Sequence, residues 1–190
     1  MALLDPNAKS ALLQRARFAI ARAIGVTPDS PLPNPQSLIP GDFHAGAFVT
    51  LRIKGQLRGC IGYPEPDLPL VVVVERCAVS AALSDPRFPP LSETEWSDID
   101  VELSVLGPIE RVADLKEIVV GRHGLVVEFG RRRGVLLPQV AVEWKWDAVE
   151  FAAQTCIKAG LPRDASQKGA KLFKFEAEVF GESGTEERKT

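Results

Sequence analysis

The chain has 190 residues, of which 45% are hydrophobic and 25% charged, and its formal net charge at pH 7 is −2. Length and composition together predict a globular protein with a full core and exclude a disordered chain. The weakly acidic balance offers no general attraction to nucleic acid or anionic lipid, which disfavours DNA as a partner.

Targeting and redox signals are sparse. No apolar run approaches the roughly 20 residues that cross a bilayer, so no membrane association is expected. The N-terminus lacks the basic-then-apolar order of a signal peptide. Three widely spaced cysteines do not form a disulfide pattern, and the sequence therefore predicts a cytoplasmic location.

The first predicted helix runs from Asp5 to Ile24. Asp5 is a capping residue, Pro6 fits the first helical position, and Gly25 supplies the stop. Residues 27–41 then contain five prolines, a composition that predicts a stiff, extended connection.

Residues 47–62 predict a β-hairpin with Lys54-Gly55 as its two-residue turn. A regular register pairs Ile53 with Gln56, Leu51 with Arg58, Val49 with Cys60, and Phe48 with Ile61. One face of the hairpin would carry Phe48, Thr50, Leu57 and Ile61, and the other Val49, Leu51, Ile53, Arg58 and Cys60. Both faces hold large apolar groups, so both should be covered. Arg58 would then need a carboxylate, a row of carbonyls or a bound anion.

Further elements follow in mixed order. They begin with a helix over 70–83, a helical turn opened by a Ser92/Glu95 capping box, and a strand over 99–105. A brief helix over 114–120 and a second hairpin follow, with strands 124–129 and 135–137 around a turn at 130–134. The last elements are a helix opened by Asp147 and ended by Gly160 and a strand over 173–179. Hairpins without regular βαβ alternation indicate an α+β fold with antiparallel sheet. Residues 181–190 read as a flexible polar tail.

Several segments together resemble the AMMECR family, whose domain is named after the Alport syndrome–elliptocytosis chromosomal region. The segments are Leu57-Arg58-Gly59-Cys60-Ile61-Gly62, Asp85-Pro86-Arg87-Phe88-Pro89-Pro90-Leu91, His123-Gly124-Leu125, Leu136-Leu137-Pro138-Gln139-Val140-Ala141 and Thr155-Cys156-Ile157-Lys158-Ala159-Gly160-Leu161. The resemblance spans about residues 8–180. Tyr63 departs from it, because the family usually has a small residue there.

The resemblance implies one domain over residues 1–180, built of two unequal lobes with a cleft between them. Each lobe has its own antiparallel sheet and flanking helices, and the larger lobe contains both termini. The six-residue motif would face the cleft. The family's biochemical activity is unsettled. Prokaryotic relatives often accompany Memo-like and radical-SAM proteins, which points to an RNA- or protein-modifying system.

Two kinds of site are predicted around the motif. In the first, Arg58 anchors a carboxylate or phosphate while Gly59 and Gly62 give close access. In the second, Cys60 is a nucleophile whose thiolate Arg58 favours and whose base is His123. Gln139 or Glu143 would orient that histidine or contact the ligand. Each has a plainer alternative: an ion pair joining the lobes for Arg58, a bulge for the glycines, and a space-filling role for Cys60.

Other candidates are weaker. Metal-ligand spacings do not occur, so neither a metal nor a cofactor is expected. Arg131-Arg132-Arg133 reads as a solvated hairpin tip, and Trp144 and Trp146 as anchors of the following helix. The predicted function is recognition of a sizeable ligand, a protein segment or an RNA element, in the cleft lined by the motif. The alternatives are a thiol-dependent enzyme and a structural adaptor.

Overall fold

The computed structural model describes residues 3–28, 39 and 43–183. Within them the chain forms two compact units. The first contains the chain up to Val105 and again from Glu178, and the second is Leu106–Ala177. Most of the predicted proline-rich connection, at 29–38 and 40–42, and residues 184–190 of the predicted tail lie outside the described residues.

The first unit packs two helices on an antiparallel sheet. Helices α1 (Pro6–Ala23) and α2 (Leu70–Leu83) accompany strands β1 (Ala47–Ile53), β2 (Gln56–Tyr63) and β3 (Ile99–Leu106). The order β2-β1-β3 leaves β2 at an edge. Asp5 caps α1 as predicted, since its side chain accepts a hydrogen bond from Ala8 N–H. Helix α1 packs against α2, and α2 packs against β1 and β2, so their apolar side chains share one core with the sheet. The largest fully buried side chains of this core include Leu12, Ile20, Val49, Leu51, Leu70 and Leu103.

The predicted hairpin is present, but its predicted register is wrong beyond the turn. Ile53 does pair with Gln56, yet the register shifts by one residue between Leu51 and Arg52, and Arg58 is the extra residue of a β-bulge. Cys60 therefore pairs with Thr50 rather than Val49, and Ile61 pairs with Val49 rather than Phe48. A bulge changes the alternation of side chains, so the predicted assignment of residues to the two faces is also wrong.

The second unit combines strands β4 (Glu110–Arg111), β5 (His123–Phe129), β6 (Arg132–Leu136) and most of β7 (Lys171–Gly181) with helices α3 (Pro138–Glu143) and α4 (Ala148–Lys158). Strand β5 lies between β6 and β7, and β4 also pairs with β7. Phe151 and Leu125 are fully buried at the centre of its core. Asp147 caps α4, accepting from Glu150 N–H.

Three details of this unit differ from the sequence predictions. The second hairpin has a two-residue turn, because Phe129 pairs directly with Arg132. The helix expected over 114–120 is a single 3₁₀ turn, Leu115–Glu117. Helix α3 was not predicted, since six residues are too few to display a helical period.

The α+β class with antiparallel sheet is confirmed. Strand β7 extends to Gly181, and Glu182 N–H donates to Val101 O while its carboxylate accepts from Arg17. Among the helices in the described part of the chain, none is both long and apolar enough to cross a membrane.

Candidate functional site

Strand β2 exposes its outer edge, and the loop that follows α2 covers part of that edge. The main-chain N–H of Cys60 donates to Asp85 Oδ2 at 2.8 Å, and the Cys60 carbonyl accepts from Arg87 Nη2 at 3.2 Å. An edge strand otherwise leaves these groups to solvent or to another strand. Asp85 and Arg87 therefore fix the backbone at Cys60 from outside the sheet.

Asp85 is the buried centre of this arrangement, with only 2% of its side chain exposed. Besides Cys60, its carboxylate accepts from the main-chain N–H, Nε and Nη2 of Arg87 at 3.1, 3.0 and 2.7 Å. The Arg87 guanidinium, helped by the Cys60 N–H, holds the pKa of the Asp85 carboxyl well below its usual range. Asp85 is thus a fixed negative charge that orients Arg87, whose own side chain remains 53% exposed.

Arg58 finds two of the partner types that its partly buried position requires, a carboxylate and carbonyls. Its Nε and Nη2 grip the two oxygens of Glu95 at 2.7 and 3.1 Å. Nη1 donates to the Pro89 carbonyl at 3.0 Å, and Nη2 to the Pro90 carbonyl at 3.4 Å. Its side chain is only 12% exposed. The Arg58 guanidinium and the Ser92 N–H lower the pKa of Glu95 to about 2.

This ion pair lies within the first unit and ties β2 to the loop and turn at 85–95. Both Arg58 and Arg87 also lie near the Phe88 ring, with guanidinium carbons 6.0 and 5.6 Å from its centroid. The residues Arg58, Cys60, Asp85, Arg87, Phe88 and Glu95 are called the β2 surface below.

The two glycines of the motif allow close packing within the protein. A Cβ on Gly59 would lie well inside 3.0 Å of the Ala81 carbonyl oxygen, so Gly59 lets the backbone of α2 approach β2. A Cβ on Gly62 would collide with the Phe48 ring. Protein atoms therefore occupy the space that each missing side chain leaves.

Cys60 differs from the other two cysteines. It is partly exposed, whereas Cys77 and Cys156 are buried. The Thr50 hydroxyl donates to the Cys60 sulfur at 3.4 Å, across the pair that the bulge creates. Burial raises the pKa of Cys77 to about 11, so that thiol is inert at neutral pH.

The remaining predicted residues lie in the second unit. His123 begins β5, half-buried, with Nδ1 accepting from the main-chain N–H of Val119 at 3.0 Å. Burial, with smaller contributions from Lys174 and Arg122, lowers its pKa. Gln139 is half-buried and Glu143 exposed, at opposite ends of α3. The pairing of Cys60 with His123 stays a prediction.

Sequence reasoning did not select Asp85, Arg87 or Glu95 as site residues. In the sequence, Asp85 and Arg87 stand out only as members of a segment that resembles the family, and Glu95 only as half of a capping box. The available signal was a buried-strand arginine that required a carboxylate, but nothing in the spacing says which of the chain's 25 acidic residues supplies it.

Known proteins resemble this chain over nearly its whole length. The sequence model of the AMMECR1 family matches residues 8–180. The chain belongs to the AMMECR1 family. A protein of Methanothermobacter thermautotrophicus is 47% identical over 182 residues, covering 91% of this chain and 93% of that protein. A protein of Pyrococcus furiosus is 50% identical over 148 residues, covering 72% and 70%.

The fold is shared with a solved relative. The crystal structure of an uncharacterized protein from Pyrococcus horikoshii is 40% identical, with a TM-score of 0.84 over 95% of this chain and 94% of that one. The resemblance inferred from the sequence is therefore confirmed at the level of family and fold.

Proposed function

We propose that this AMMECR1-family protein is a binding module that captures an acidic segment of a partner polypeptide on the β2 surface. The observation that carries the proposal is the Arg87 guanidinium, half-exposed yet held in place by the buried carboxylate of Asp85. A cation fixed in this way loses little conformational freedom when it meets a second carboxylate.

Arg87 suits this role better than Arg58. Every nitrogen of the Arg58 guanidinium already donates to Glu95, Pro89 or Pro90, so a ligand would have to displace those contacts. The hydrogen bonds of Arg87 among the described residues use Nε and Nη2 and leave Nη1 for a ligand oxygen. Arg58 instead holds the loop in the position from which Arg87 projects.

The local charge favours a polypeptide over RNA. Arg87 is matched by Asp85 and Arg58 by Glu95, so the β2 surface has no excess of positive charge. Binding to a phosphate backbone depends on such an excess. The arginine-rich tip of the second hairpin belongs to the other unit, and Arg133 there pairs with Glu128. One carboxylate contact beside the apolar Phe88 ring matches an acidic peptide.

The test uses matched peptides and matched arginine variants. Labelled ten-residue peptides carrying Asp or Glu, drawn first from the Memo-like and radical-SAM proteins that the resemblance gives as associates, are titrated by fluorescence polarisation. Each is compared with its Asn or Gln counterpart. We expect acidic peptides to bind the wild-type protein with micromolar dissociation constants. The neutral counterparts should bind at least tenfold more weakly, and so should the acidic peptides to the Arg87→Lys variant.

Lysine at 87 keeps the charge beside Asp85, and with it the fold, but removes the planar fork. Arg122→Lys is the control, because Arg122 is also exposed and paired with a carboxylate, Glu176. Equal affinity for acidic and neutral peptides, or equal losses in the two lysine variants, would refute the proposal.

Thiol chemistry at Cys60 is the second candidate, favoured by its partial exposure and by the Thr50 hydroxyl at its sulfur. Here Cys60→Ser would abolish activity on a thioester or disulfide probe, whereas the binding module would keep its peptide affinity. A purely structural adaptor predicts neither effect.

A further inference from the structure

The second unit presents a tryptophan pair that the proposed function does not use. Trp144 is 67% exposed, although tryptophan is among the largest apolar side chains. Its ring lies 6.0 Å from that of Trp146 between centroids, at an interplanar angle of 16°. Trp146 in turn packs against the core of the unit. One face of the Trp144 indole is therefore supported, and much of the ring remains open to solvent.

The backbone between the two tryptophans is fixed in an unusual conformation. Helix α3 ends with Trp146 N–H donating to Ala141 O at 2.8 Å and Lys145 N–H donating to Val142 O at 3.1 Å. This is the Schellman arrangement, which places Lys145 in the left-handed region with φ of 55°. A non-glycine residue there costs about 1 kcal/mol. The turn nevertheless holds both indoles in one stacked geometry, so the exposed ring is preorganised.

The charged residues next to the tryptophan pair in the sequence are mainly negative. Glu143 and Asp147 flank the pair in sequence and are both exposed, against the single ammonium of Lys145. One Asp147 oxygen accepts from Glu150 N–H as the cap of α4. Glu143 has neither an ion pair nor a hydrogen bond with any residue that the structure describes. A carboxylate without a described partner, one residue from an exposed indole, offers a cation both an acceptor and an aromatic face.

We infer that Glu143, Trp144, Trp146 and Asp147, called the Trp144 surface, bind an arginine or lysine side chain of a partner protein. The cation would lie over the open face of Trp144, and the Glu143 carboxylate would accept a hydrogen bond from it. Tryptophan is the aromatic side chain that attracts a cation best. A nucleic acid is disfavoured, because its phosphates would face the two carboxylates. This inference stands independently of the β2 surface.

The experiment follows the three tryptophan indole N–H signals of the full chain by ¹H–¹⁵N NMR, assigned by single substitutions. The probes are a short Gly-Arg-Gly-Arg-Gly peptide and its citrulline analogue, which has the same shape without charge. We expect the arginine peptide to shift the Trp144 signal with saturation, and the citrulline peptide to bind at least tenfold more weakly. Trp144→Leu should abolish binding, and Glu143→Gln should weaken it at least threefold.

The matched control is Phe129→Leu, at another exposed aromatic of the same unit, which should leave the affinity unchanged. Should Trp144→Leu fail to fold, Glu143→Gln still decides, because Glu143 has no described contact to lose. No shift of the Trp144 signal, equal binding of the arginine and citrulline peptides, or tighter binding of single-stranded oligouridylate would each overturn the inference.

Discussion

Gly59→Ala tests whether the motif glycine exists for helix packing or for ligand access. The added Cβ would lie well inside 3.0 Å of the Ala81 carbonyl oxygen and 3.1 Å from the carbonyl carbon. Both are backbone atoms of α2, so no side-chain rotation can relieve the clash, and the helix or the strand must move. Overpacking of this kind costs roughly 1–3 kcal/mol. We take the upper part of that range, because backbone meets backbone.

Part of that cost is offset by the unfolded state, where alanine is less flexible than glycine by about 0.4–1 kcal/mol. The net loss is then about 2 kcal/mol, which for a chain of this size lowers the melting temperature by roughly 4–8 °C. Urea unfolding should be followed by the fluorescence of Trp96, which reports on the first unit, in a Trp144→Phe, Trp146→Phe background.

Cys60→Ala is the control for this prediction, since position 60 is in the same strand and already carries a Cβ. It loses only the contact with the Thr50 hydroxyl, and we expect less than about 1 kcal/mol. If Gly59→Ala unfolds at the same urea concentration as wild type, helix packing does not explain this glycine, and the reasoning fails.

The other predictions concern charge, backbone strain and thiol access. The pKa of Glu95 is lowered from 4.5 to about 2 in the folded protein. The Glu95 carboxylate therefore adds about 1 kcal/mol, after allowing for solvent screening, to the free energy of unfolding; this stabilisation is complete above pH 4.5 and is lost as the pH falls toward 2. Glu95→Gln should therefore flatten the dependence of the urea midpoint on pH in that window, and an unchanged slope would contradict the assignment. Lys145→Gly should raise the melting temperature by about 2 °C, since glycine relieves a left-handed φ; a lower melting temperature would contradict the strain. Iodoacetamide should alkylate Cys60 at least tenfold faster than Cys77 or Cys156 by mass spectrometry, because only Cys60 is partly exposed; equal rates would end the case for a reactive thiol.

Local signals predicted much of the fold. The cap at Asp5 and the Lys54-Gly55 turn follow from chemistry within a few residues. Helix α2 follows from its length and its apolar stripe, although the valines at its start favour a strand. The hairpin register failed because a bulge depends on what lies outside the strand. Arg58 lies outside the regular β-ladder and binds Glu95 and the Pro89 and Pro90 carbonyls, which are 31 to 37 residues further along the chain.

The candidate site was predictable in part for the same reason. The need of Arg58 for a carboxylate or carbonyls follows from its place in a covered strand, and the structure supplies both. The role of Asp85 could not be predicted, because it binds the main-chain N–H of Cys60. Every residue except proline has such a group, so the sequence does not show which N–H an aspartate will bind. Arg87 likewise looks like any loop arginine until Asp85 is known to be buried.

The bulge has a consequence for engineering the protein. Since Arg58 is the extra residue of the bulge, deleting it would leave every residue pair between β1 and β2 unchanged, from Ile53–Gln56 to Ala47–Tyr63. The sheet would become more regular, while the loop at 89–95 would lose its hydrogen bonds to Arg58. A single-residue deletion could therefore test the pairing of the hairpin separately from the attachment of this loop.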